Sequence, residues 1–249
     1  MAIFLDTSNL FEIERFHRMG IIAGVTTNPT ILLREGVTGG FLGMQARIKQ
    51  VALAVHPLPV SVEVTAVEYD QVIQQALAFA GLSDNIVIKI TVHGPNGELD
   101  NLQIIHELAS RHGLKLNVTA MMSAQQCLIA ALAGATYVSI FGGRMNNMGY
   151  NSCDEIRKLR TVLDMHRLPA QIIAASTREV LNIIEWFEAG AHIVTVVPDL
   201  LKGMIVHPYT KETVQQFLRD GAKVEEAFKV GSNGHDKQAD AVAMSLKAN

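Results

Sequence analysis

Cysteine is scarce in this chain. Of its 249 residues only Cys127 and Cys153 are cysteines, and neither stands in a CxxC or a Cys/His ligand spacing. Two reduced thiols are therefore expected, not a disulfide framework. The nine histidines are scattered and none falls into a metal-ligand spacing, so no metal is expected. No apolar run approaches the roughly 20 residues that cross a bilayer, so no membrane association is expected. The opening residues, MAIFLDTSN, carry an acid at position 6 and no basic stretch ahead of an apolar one. A secretory signal is not expected, and the cytoplasm is the default compartment. Like charges never form a long run, and a net charge of -3 supplies no basic field for nucleic acid. No GxGxxG follows the first strand, which removes the main signature of an open dinucleotide-binding sheet. Repeats, linkers and low-complexity segments are also lacking.

What remains is a chain that is 49% hydrophobic and 18% charged, enough to bury one large core. Short apolar runs read as strands at residues 3–5, 21–25, 60–64, 86–90, 114–118, 137–141, 171–175 and 192–197. Segments with helical spacing separate them. The residues around 36–40 and those from Gly142 to Ser152 read as loops. Strands alternating with helices predict a parallel sheet joined by right-handed crossovers. Eight such units predict closure, so the expected α/β architecture is a single-domain (β/α)8 TIM barrel with a C-terminal helical extension. The barrel is assigned to residues 1–229, with a helix over 210–228. Residues 230–249, which include GSNGHDKQAD, read as a polar tail and a candidate oligomer contact.

Barrels of this kind carry their chemistry at the C-terminal ends of the strands. Here those ends bear Asp6, Asn28, Glu63, Lys89, Thr119, Ser139 with Arg144, and Ser176. Lys89 lies inside NIVIKI, where lost hydration disfavours an ammonium and favours a nucleophilic amine. Read alone, it is better described as a strand-end lysine whose stem is buried and whose head snorkels into water. The ring of polar groups around it changes the weighting. Glu63 falls on the adjacent strand, and an amine beside a carboxylate suits imine chemistry. Arg144 after Gly-Gly, and Ser176 with Arg178 at a helix start, have the character of an anion site.

LDTSN, AGVTTNPTIL, VSVEVTA, VIKI, NVTAMMSAQQCLIAALAGATYVS and AAST together resemble the transaldolase family. The likeness is closer to its short-chain branch, which also contains the fructose-6-phosphate aldolases, and it runs from Met1 to about Phe217. It implies a cofactor-free class I mechanism with Lys89 as the Schiff-base lysine. By the same resemblance Glu63 and Thr119 position a catalytic water and relay protons, and Asp6 acts on substrate hydroxyls during C–C cleavage. Thr27, Asn28 and Asn117, with Ser139 beside them, correspond to groups that bind a dihydroxyacetone unit. Arg144, Ser176 and Arg178 correspond to the phosphate-binding set. The implied partners are small sugar phosphates and a homo-oligomer, a ring of five or ten subunits.

Glu63, Phe141 and Asn117 stand where the aldolases of the branch resemble one another in carrying Gln, Tyr and a residue other than Asn. The expected activity is therefore transfer of dihydroxyacetone from a ketose phosphate to an aldose phosphate. A fructose-6-phosphate aldolase is the near rival, and a non-catalytic sugar-phosphate-binding barrel the distant one. The chain departs from the family pattern at Ile140, at Met145-Asn146-Asn147 and at Thr177, all around the anion site.

Overall fold

β-branched side chains restrict χ1 and pack well on a pleated surface, so runs such as Ile86-Val87-Ile88 settle as buried strand. In the computed structural model, which describes the backbone of residues 1–246 and the side chains of residues 1–226 and Phe228, eight such runs pair in parallel. They are β1 (Ala2–Asp6), β2 (Val25–Thr26), β3 (Val60–Glu63), β4 (Ile86–Thr91), β5 (Leu116–Met121), β6 (Tyr137–Ile140), β7 (Gln171–Ala174) and β8 (Ile193–Val196). Each pairs with its sequence neighbour, and β8 pairs back onto β1, closing the barrel. This is the (β/α)8 architecture that the alternating pattern predicts.

The helices between the strands are α1 (Leu10–Arg18), α2 (Pro29–Arg34), α3 (Gly40–Val55), α4 (Tyr69–Ala80), α5 (Asp100–Ser110) and α6 (Ala124–Leu132). They continue with α7 (Gly142–Asn147), α8 (Ser152–Met165), α9 (Val180–Glu188), α10 (Pro198–Ile205) and α11 (Pro208–Leu246). Two compact units meet in sequence between Leu201 and Lys202, the first holding the whole barrel. No helix among the described residues is long and apolar enough to cross a membrane.

The barrel interior is layered. Phe4, Ile173 and Ile193 form an apolar floor, with Ala2, Ala23 and Tyr137 packed against it. Phe4 and Tyr137 meet edge to face, their centroids 6.1 Å apart. Above that floor, side chains two residues further along the strands are polar: Asp6 on β1, Ser139 on β6 and Thr195 on β8. The period-2 alternation that puts an apolar residue in the lower layer puts a functional one in the upper.

Four local features differ from the sequence expectation. The second strand is only two residues long, and Gly24 just before it lies against the Phe4 ring, which an added Cβ would meet at 2.7 Å. Its neighbours still pair with β1, Ala23 N donating to Ile3 O at 2.8 Å. The six-residue α2 follows directly; Asn28 caps it by accepting from Ile31 N at 2.8 Å, and Pro29 occupies its first turn. The expected loop after β6 begins as the short helix α7. Finally, α11 runs past residue 228 to Leu246. The proposed oligomer contact of residues 230–249 concerns side chains that lie outside the described residues.

Candidate active site

Register carries the central pair. Glu63 ends β3 and is the direct cross-strand partner of Lys89 on β4. Their inward side chains meet, with Lys89 Nζ 3.1 Å from Glu63 Oε2. Lys89 is only 5% exposed, and its ammonium also donates to the Thr27 carbonyl at 3.1 Å. The head is held inside the barrel, so the snorkelling alternative does not describe it.

On the next strand, β5, Thr119 turns a hydroxyl into the same space. Its Oγ1 is buried and has no hydrogen-bond partner among the described residues. The strand is irregular there: the register with β6 shifts between Val118 and Met121, and Ala120 adopts φ +61°. A left-handed alanine costs roughly 1–2 kcal/mol, so the rest of the sheet holds this bulge in place. Asn117, two residues earlier, is buried and oriented from both sides. Its amide nitrogen donates to Ser61 Oγ at 3.0 Å, and its carbonyl oxygen accepts from Ser139 Oγ at 2.7 Å.

Asp6 faces this group from β1. Its Oδ1 accepts from Thr26 Oγ1 at 2.7 Å. Burial pushes the Asp6 carboxyl above the usual carboxylate range, opposed by the Lys89 charge, the Thr26 hydrogen bond and Arg34. The loop after Asp6 is clamped by Glu35, which follows α2. The Thr7 and Ser8 hydroxyls donate to its two carboxylate oxygens, each at 2.5 Å, and Ser8 N donates at 2.8 Å. Arg47 closes the clamp by donating to Ser8 O at 3.2 Å.

Across the mouth lie Arg144, Ser176 and Arg178. Gly143 packs so closely on the β7 loop that an added Cβ would sit 1.8 Å from the Ser176 carbonyl oxygen and 2.9 Å from Arg178 Cγ. Gly142 packs on the ring of the buried Trp186 in the same way. This double glycine therefore brings the Arg144 turn against the turn of Ser176 and Arg178. The Arg144 guanidinium lies 5.4 Å from the centroid of Phe141. Among the described residues neither Arg144 nor Arg178 is ion-paired, which leaves both available to an anion.

A cavity of about 450 Å³ joins these groups, lined by Asp6, Asn28, Glu63, Lys89, Asn117, Thr119, Ser139, Phe141, Arg144, Ser176 and Arg178. Every site residue expected from the sequence is on that lining except Thr27. Its hydroxyl donates instead to the Ser61 carbonyl at 2.9 Å, while its own carbonyl receives Lys89. Sequence reading missed Thr26, Ser61, Thr195 and Arg34. Ser61 and Thr195 had a signal, a lone polar residue in step with the inward face of an apolar strand. Arg34 had none, because it depends on α2, which was not foreseen.

An amine, two carboxylates and an uncompensated pair of guanidinium groups around one cavity can form an imine, move protons and hold an anion. The Transaldolase/Fructose-6-phosphate aldolase family model matches residues 3–248, extending beyond the stretch legible by motif. A protein of Bacillus cereus named "Probable transaldolase 1" is 35% identical over 226 residues, covering 91% of this chain and all of the relative. A "Probable transaldolase" of Carboxydothermus hydrogenoformans is 39% identical over 223 residues, covering 88% of this chain and 97% of the relative. Among solved structures, thiamine phosphate pyrophosphorylase from Pyrococcus furiosus superposes with a TM-score of 0.55 at 13% identity, covering 79% of this chain and 85% of the other. At that identity the likeness concerns the barrel alone.

Proposed function

The chain belongs to the transaldolase/fructose-6-phosphate aldolase family, and on that premise we propose that it moves a dihydroxyacetone unit from a ketose phosphate to an aldose phosphate. The unit is carried as an imine on Lys89. The observation that supports this best is the buried Lys89–Glu63 contact at 3.1 Å, in one cavity with Asp6 and the two arginines.

Glu63 takes a proton from the Lys89 ammonium, and the free Nζ attacks the C2 carbonyl of the ketose. The carbinolamine oxygen leaves as water, receiving its proton from Glu63, with the Thr119 hydroxyl holding that water. Asp6 then accepts the C4 hydroxyl proton as the C3–C4 bond breaks, and the bonding pair moves into the iminium to give an enamine. Burial raises the basicity of Asp6, which suits this task. The aldose phosphate departs, and the enamine C3 attacks the incoming aldehyde. Asp6 returns its proton to the new alkoxide, and hydrolysis through Glu63 frees Lys89. Arg144, Arg178 and Ser176 hold the phosphate of donor and acceptor in turn.

Phe141 favours transfer over simple cleavage. It lines the cavity but has no hydroxyl with which to protonate the enamine. The enamine therefore persists until an aldehyde arrives. The test is a screen of phosphorylated ketoses with and without an aldose phosphate acceptor. Donor consumption that depends on acceptor is expected. Free dihydroxyacetone released at a matching rate without acceptor would make the chain an aldolase, and no turnover of any donor would make it a binding barrel.

A further inference from the structure

The Asp6 carboxylate is the end of a chain of hydroxyls that crosses from β8 through β2 to β1. Thr26 Oγ1 donates to Asp6 Oδ1 at 2.7 Å, and the same oxygen lies 2.5 Å from Thr195 Oγ1. Ionised Asp6 has only acceptors, so the Thr26 proton is committed to it. Thr26 can then meet Thr195 only as acceptor, which makes Thr195 the donor. The polarity of the chain is fixed: Thr195 to Thr26 to Asp6. Thr195 itself is anchored through its backbone, its carbonyl accepting from the Thr177 hydroxyl at 2.6 Å. Thr26 and Thr195 are both buried and both line the cavity.

We infer that Thr195 is a positioning residue for C–C bond cleavage: through Thr26 it orients the Asp6 carboxylate toward the substrate hydroxyl and helps keep it ionised. This rests on the transaldolase reading given above. A hydroxyl that is already donating binds its own donor more strongly, so the two threonines act together on one oxygen. The chain works alongside the charged groups that face Asp6, namely Lys89 from β4 and Arg34 and Glu35 from the α2 segment. Glu63 is committed to Lys89 at 3.1 Å. From β8 the group facing this network is neutral Thr195, so that side supplies hydrogen bonding and no charge.

The test uses Thr195→Val, which keeps the shape and removes the donor, with Thr195→Ser, which keeps the donor. The readouts are single-turnover release of aldose phosphate from fructose 6-phosphate across pH, and borohydride trapping of the imine on Lys89. Thr195→Val is expected to slow release about fivefold and to move the acidic limb of the release profile upward by about half a pH unit. Imine trapping should be unchanged. Thr26→Val, which removes the direct donor to a charged group, should slow release about thirtyfold. Thr195→Ser should return to within about twofold of the parent. A Thr195→Val enzyme with the parental limb and rate overturns the inference, as does a Thr195→Ser enzyme as slow as Thr195→Val, since packing would then explain the effect. If the parent chain traps no imine on Lys89, the transaldolase reading itself falls and takes this inference with it.

Discussion

Two side chains in the cavity owe their roles to what surrounds them. Phe141 sits under the Arg144 guanidinium, its ring centroid 5.4 Å away, and carries no hydroxyl with which to protonate the proposed enamine. Phe141→Tyr places a phenolic hydroxyl in that wall. The substitution should raise acceptor-free release of dihydroxyacetone by about a hundredfold, the lower end of the range for a general acid. An assay of fructose 6-phosphate cleavage without acceptor measures this, and an unchanged rate would remove Phe141 from the argument. Asp6 offers a test by stability. Its carboxyl is held above the ordinary 3.8 by burial, so between that value and the raised native one the folded chain binds more protons than the unfolded chain. Stability falls as pH rises through this window and stays reduced above it. Asp6→Asn removes the penalty, keeps an acceptor for Thr26 and loses the base. The variant should be inactive in C–C cleavage yet more stable than the parent at neutral pH, with the margin shrinking as pH approaches the ordinary value. Urea midpoints across pH measure it; a destabilised Asp6→Asn chain at neutral pH would contradict the account.

Among the elements, the turn from β6 into α7 sets the approach of Arg144 to Ser176 and Arg178, the proposed anion site. At Gly143 an added Cβ would lie 1.8 Å from a backbone oxygen, so the turn must shift if the residue is enlarged. Gly143→Ala should raise KM for a phosphorylated donor by roughly tenfold to a hundredfold, the worth of a charge-assisted hydrogen bond. Trapping of unphosphorylated dihydroxyacetone on Lys89 should survive. Loss of both would mean that the turn supports the whole site and not the anion end. This element also marks the limit of sequence reading. Lys89, Glu63 and Thr119 were legible because they fall at the ends of apolar runs that read as neighbouring strands, whereas Asn117 was reached only through the family resemblance. Gly142-Gly143-Arg144 was read as loop, because a close approach to Trp186 and Ser176 leaves no local signal. The clamp of Glu35 on Thr7 and Ser8 was invisible for the same reason. It joins residues 27 or more apart in sequence, through an α2 too short to show periodicity.

For the whole molecule, the barrel follows from eight apolar runs and needs little beyond them. The C-terminal unit is different. Val214, Phe217, Leu218, Val224 and Phe228 of α11 are exposed, and their helical spacing puts them along one stripe. On the family resemblance we propose that the chain self-associates in solution. Phe217→Asp with Leu218→Asp should then shift sedimentation equilibrium toward the monomer, whereas an unchanged mass would exclude this stripe from the contact. The account as a whole depends on one bond, between Lys89 Nζ and C2 of the donor. Incubation with fructose 6-phosphate followed by borohydride and peptide mass mapping tests it most directly. A reduced ketose adduct confined to the Lys89 peptide, and absent from Lys89→Met along with turnover, is the predicted result. An adduct on another lysine, or full turnover by Lys89→Met, would contradict it.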